Sequence, residues 1–132
     1  MTPSQCVGYA LNQTSSITAI VSTRIYHGLR PVAGATPCIN YFQMGGGTRQ
    51  YGTDRAVFTI NCRAATANTA LELARLVTDV FHGTSGTGIH GTLSSFTIIQ
   101  AAVLQSQGLI PETEDQIYNA PVDIQIVYPT QR

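Results

Sequence analysis

The nine residues from Arg55 to Arg63 alternate without a break. Ala56, Phe58, Ile60 and Cys62 occupy one set of positions; Arg55, Val57, Thr59, Asn61 and Arg63 occupy the other. A period of two belongs to a β-strand with one face on a core and the other turned to solvent or a partner. A chain built round such a strand needs a second layer to cover the apolar face. The segment that follows supplies it. Ala70, Leu73, Ala74, Val77 and Phe81 are spaced by threes and fours, an apolar stripe on a helix from about Ala67 to His82. Thr69 and Glu72 have capping-box spacing, and Thr66 is an equally good N-cap; Gly83 suits the left-handed position past the helix end.

The remaining segments fill out the same two layers. Pro3 to about Gln13 reads as a helix, with Pro3 in the first turn and Cys6, Tyr9, Ala10 and Gln13 on one stripe, although Gly8 weakens it. Ser15 or Ser16 caps a short second turn through Ile17, Ala19, Ile20 and Val21. A stiff crossover with two prolines and two glycines, Gly28 to Pro37, leads to a strand from about Cys38 to Met44. Gly45 to Thr53 reads as a long flexible hairpin connection. A third strand is expected over about Leu93 to Gln105, with Phe96, Ile98, Ala102 and Leu104 on one face and Ile99, Ala101 and Val103 on the other. Gly108 to Gln116 reads as a loop holding Pro111, Glu112, Glu114 and Asp115. A fourth strand covers about Val122 to Tyr128, with Pro121 at its start. The expected fold is α+β: a two-layer sandwich in the order α-β-β-α-β-β, with a mainly antiparallel four-stranded sheet and the helices packed on one face. Residues 1–132 form a single domain of a size that buries roughly two-thirds of its unfolded surface.

Composition narrows the function classes. The hydrophobic fraction of 43% is that of a folded chain. No apolar run approaches the ~20 residues of a spanning helix. The N-terminus lacks a basic segment followed by an apolar one, so the chain is expected to stay in the cytoplasm where it is made. Seven Arg balance seven acids and there is no Lys. The net charge therefore gives no footprint for tight nucleic-acid binding. With charged residues at 11%, the surface relies on Thr, Ser, Gln and Asn, which suits contact with neighbouring subunits.

Catalytic signatures are missing. Cys6, Cys38 and Cys62 include no Cys-x-x-Cys pair, so neither a disulfide scaffold nor structural zinc is expected, and strand cysteines serve as small hydrophobes. His27, His82 and His90 have no metal-binding spacing. His82 in the last helical turn complements the helix dipole, and Glu72 can pair with Arg75 on the solvated helix face. Gly45, Gly46 and Gly47 are not followed by the Gly-Lys-Ser/Thr of a phosphate loop. No catalytic, cofactor-binding or metal site is expected.

The order and spacing of several short patterns resemble the tail-terminator proteins, the small tail-completion family of long-tailed phages and prophages. Arg24-Ile25-Tyr26 follows the N-terminal helical segment and precedes a proline-containing loop. Thr36-Pro37-Cys38-Ile39-Asn40-Tyr41 then opens the first strand in the family's Pro-x-Ile-x-Tyr manner. The alternating strand Ala56 to Arg63 leads into an Ala/Leu helix, Thr69 to Gly83. Two last strands flank a Pro/acidic loop and close on Asp123-Ile124-Gln125-Ile126-Val127-Tyr128. The similarity spans about Ile17 to Tyr128; Asn119-Ala120-Pro121 departs from the usual polar or basic lead-in to the last strand.

The resemblance implies a mechanical virion role at the head-proximal end of the tail, after assembly in the host cytoplasm. Such proteins form a ring, typically hexameric, on the finished tail tube; the ring ends tube polymerisation and offers the surface that joins the capsid connector. The implied partners are further copies of the chain, the major tail-tube protein, a connector or stopper protein, and passing DNA touched weakly and without sequence readout. No membrane partner and no cofactor are implied. Candidate interface residues are Arg49, Gln50 and Tyr51 in the Gly-rich hairpin, with Arg55, Val57 and Thr59 on the polar strand face. Competing readings are a head-completion stopper protein, a monomeric α+β binding module and a Cys38-dependent hydrolase.

Overall fold

The computed structural model describes residues 2–28, 36–48, 52–82, 91–93, 95–106, 108–112 and 116–130. Its helices are α1 (Pro3–Gln13), α2 (Ser15–Val21) and α3 (Ala67–Phe81). Its strands are β1 (Ile25–His27), β2 (Cys38–Thr48), β3 (Thr53–Ala64), β4 (Gly91–Leu93), β5 (Phe96–Ile98), β6 (Gln100–Ser106), β7 (Ile110–Glu112) and β8 (Ile117–Pro129). The α+β class holds, but the sheet differs from a four-stranded antiparallel one. Six strands form a mixed sheet ordered β1-β2-β3-β8-β6, with β7 beside β6 on β8; β4 and β5 make a separate hairpin. The order α-β-β-α-β-β is replaced by α-α-β-β-β-α-β-β-β-β-β.

Each added strand has a local cause. Ile25–His27 runs parallel to β2, pairing Ile25 with Ile39 and His27 with Tyr41. Arg24 fixes this junction: its Nε donates to the Pro37 carbonyl (2.8 Å) and its Nη2 to the Ile20 carbonyl near the end of α2 (3.4 Å). The Gly-rich stretch is not all connection. Gly45, Gly46 and Gly47 stay in β2 opposite Val57, Ala56 and Arg55. A Cβ on Gly46 would lie 2.6 Å from the Arg55 carbonyl oxygen, so close backbone approach demands glycine there.

The expected third strand is broken at Ile99. Phe96 and Ile98 are buried in the hairpin, and the bend shifts the alternation, so Ala101 opposes the core residue Ile126 and Val103 opposes Ile124. Ala102 and Leu104 therefore lie on the outer face, the reverse of the expected assignment. The expected loop after Gly108 contains β7, paired with the start of β8. β8 begins five residues before the expected strand, so Pro121 is inside it. Pro121 sits where β8 changes partner, between Asn119 opposite β7 and Val122 opposite β6, and neither outer strand pairs with it.

One core lies between the helices and a single sheet face. Ala56, Phe58, Ile60 and Cys62 of β3 are fully buried, as are Ala120, Val122, Ile124 and Ile126 of β8. The α3 stripe Ala70, Leu73, Ala74, Val77 and Phe81 covers them, as its periodicity requires. Thr66 is the N-cap, its side chain accepting from the Thr69 N–H at 3.3 Å. Thr2 caps α1 in a reciprocal capping box with Gln5. Thr14, not Ser15 or Ser16, is the N-cap of α2, and its hydroxyl donates backwards to the Ala10 carbonyl instead of capping.

Candidate assembly surface

The sheet face opposite the helices carries a ladder of polar side chains across β2, β3, β8 and the outer strands. At one end Arg55 Nη1 donates to Gln125 Oε1 (3.3 Å). Next, Thr59 Oγ1 donates to Asp123 Oδ1 (2.8 Å), whose second oxygen accepts from Gln105 Nε2 (3.1 Å). Asn119 Nδ2 then donates to Asn61 Oδ1 (3.0 Å). At the far end Arg63 joins Asn40 Oδ1 (2.7 Å) and Glu112 Oε1 (2.9 Å), and Asn40 Nδ2 reaches the Gly28 carbonyl. These links follow from register, since Thr59 faces Asp123, Asn61 faces Pro121 beside Asn119, and Arg63 faces Asn119. Asn40, Thr59, Asn61 and Asn119 are buried. Such a ladder fixes the sheet face as a rigid platform, each bond contributing about 1 kcal/mol net. Asn119 Oδ1 has no partner among the described residues.

The candidate interface residues divide on this face. Arg55 is exposed, Val57 half-buried, and Thr59 buried with its hydroxyl held by Asp123. Arg49, Gln50 and Tyr51 lie outside the described residues, as do His90, Gly83, Glu114 and Asp115. Sequence reasoning missed the apolar residues flanking the ladder. Phe42 and Met44 on β2, Ile99, Leu104 on β6 and Ile110 on β7 are exposed hydrophobics. Nothing in the sequence marks them, because their exposure follows from strand register: Met44 and Leu104 are each the extra residue of a β-bulge, between Gln43 and Gly45 and between Val103 and Gln105.

Among the described residues, several groups that chemistry could use are engaged in packing or pairing. All three cysteines are buried; burial pushes the Cys6 thiol up to about 11 and the Cys62 thiol further up. Protonated, buried thiols pack as small hydrophobes and are poor nucleophiles. His82 Nδ1 accepts the Val103 N–H at 3.4 Å, which ties the end of α3 to the β6 bulge. Arg75 bridges Glu72 and Asp79 on the exposed side of α3, and this hydrogen-bonded pairing holds the Glu72 carboxyl below its ordinary range. Among the described residues no group of three or more His, Cys, Asp or Glu is placed to hold a metal ion. No helix among them is long and apolar enough to cross a membrane.

No family model matches the sequence, and no curated protein matches it. Among solved structures, the fold matches a chain in the virion of a native gene transfer agent particle. The TM-score is 0.69 at 16% identity, over 96% of this chain and 94% of that one. The shared architecture therefore runs almost end to end in both chains.

Proposed function

We propose that this chain is a structural virion protein that caps the head-proximal end of a phage tail tube. Copies form a ring, six in number on the tail-terminator pattern, that ends tube polymerisation and presents the surface to which the capsid connector joins. Its work is mechanical, with no catalytic step. The partners are other copies, the major tail-tube protein and a connector or stopper protein, and DNA passes the ring with backbone contact only.

The observation that carries this reading is the end-to-end likeness to a virion chain, 96% and 94% of the two lengths. The ordered patterns from Arg24 to Tyr128 supply the finer choice of tail terminator. A rigid polar sheet face with exposed apolar residues on both flanks has the composition of an assembly surface. Deleting the gene from its phage or prophage tests the reading. Filled heads and unattached tails, some overlong, are expected under the electron microscope. Normal joined particles would overturn it, and so would empty heads beside tails of normal length, the outcome of losing a stopper.

A further inference from the structure

β7 is held lightly to the main sheet. It is three residues long and lies against β8, pairing Ile110 with Asn119, Pro111 with Tyr118 and Glu112 with Ile117. None of its residues belongs to the core cluster: Ile110 and Pro111 are exposed, and the apolar anchor beside them is Leu109. A cleft of about 360 Å³ lined by Ala65, Pro111, Glu112, Gln116, Ile117 and Tyr118 lies alongside, so the strand has room to move.

Proline fixes which main-chain groups depend on β7. Pro111 has no N–H, so its place opposite Tyr118 is a non-hydrogen-bonded one. The N–H and C=O of Ile117 and Asn119 therefore face β7, and those of Tyr118 face Ala64 of β3. By the same alternation Arg63 and Asn119 form a non-hydrogen-bonded pair between β3 and β8. This is the closer kind of pair, with Cα atoms about 4.5 Å apart.

Among the described residues, one side-chain hydrogen bond ties β7 down. Arg63 Nε donates to Glu112 Oε1 at 2.9 Å across β8, while Arg63 Nη1 donates to Asn40 Oδ1. Asn119 stands on the intervening strand. It is 7% exposed, and its Oδ1 has no hydrogen bond among the described residues. A buried acceptor left unmet is destabilising, and the residue directly opposite this one carries a guanidinium.

We propose that β7 is a strap with two positions, latched by Glu112 on Arg63, and that Arg63 Nε passes to Asn119 Oδ1 when the strap lifts. The exchange eases opening, because the ion pair that is lost is offset by satisfying the buried carbonyl. Arg63 Nη1 keeps Asn40 throughout and Asn119 keeps Asn61, so β2, β3 and β8 stay joined. What changes is the start of β8, where the main-chain groups of Ile117 and Asn119 become an open strand edge. The device goes beyond the tail reading and does not depend on it.

Amide hydrogen exchange and side-chain carbonyl NMR on the full-length protein test the strap. In the wild type, the Ile117 and Asn119 amides should exchange together through a local opening, faster than their neighbours Tyr118 and Ala120. Glu112→Ala should speed Ile117 and Asn119 about tenfold more, the effect of ~1.4 kcal/mol, and leave Tyr118 and Ala120 unchanged. In the same variant the Asn119 side-chain carbonyl carbon should move downfield, as a carbonyl that gains a charged donor does. Ile117 and Asn119 exchanging in step with Ala120 in both proteins would overturn the proposal. So would faster exchange in Glu112→Ala with the Asn119 carbonyl resonance unmoved, because the strap would then fray without passing Arg63 to Asn119.

Discussion

Gly8 shows how a residue that looks wrong for its element can be required by the fold. In an exposed helix interior, glycine costs about 1 kcal/mol relative to alanine, and the sequence gives no reason for it inside α1. The reason is Tyr41. It enters the core from β2, stacks on His27 with ring centroids 5.1 Å apart, and places its hydroxyl where a Cβ on Gly8 would be. Gly8→Ala is therefore expected to destabilise the protein by about 1–3 kcal/mol, an overpacking cost that outweighs the gain in helix propensity. Tyr41→Phe removes the atom in closest conflict, so it should recover part of the loss in the Gly8→Ala background. Denaturant unfolding of the two single variants and the double variant measures this as a coupling. Higher stability in Gly8→Ala would show that the helix and Tyr41 do not meet as described.

The hairpin of β2 and β3 makes a matching argument at the scale of an element. Three successive glycines read as a flexible connection because glycine weakens strands and marks turns. The ladder nevertheless continues through them. Gly46→Ala drives a Cβ into the Arg55 carbonyl, a backbone atom that cannot swing aside, whereas Gly45 has nothing within 4 Å. Gly46→Ala should cost about 1–3 kcal/mol and speed amide exchange from Asp54 to Phe58. Gly45→Ala should be neutral or slightly stabilising, and equal effects of the two substitutions would refute the close approach. What could be read from the sequence follows the same physics. β3 and α3 were legible because nine and fifteen residues repeat one period against one core. β1 and β7 are three residues each, too short for a period to emerge. The break at Ile99 was hidden because the segment is apolar on both parities, so nothing marks where the alternation shifts. The ladder's residues were visible as the polar face of β3, but its partners on β2 and β8 depend on register, which no single strand encodes.

For the whole molecule, the decisive property is that one core joins both layers. Leu73 on α3 and Ile124 on β8 are fully buried in that single cluster, one from the helical layer and one from the sheet. Neither layer keeps its apolar face covered without the other, so unfolding should be one cooperative event. Leu73→Ala and Ile124→Ala should each cost about 2–5 kcal/mol. Denaturant unfolding followed by far-ultraviolet circular dichroism and by tyrosine fluorescence checks this, and the two signals should share one midpoint in the wild type and in each variant. A variant whose two signals separate would mean that the layers hold together independently and that the core is divided.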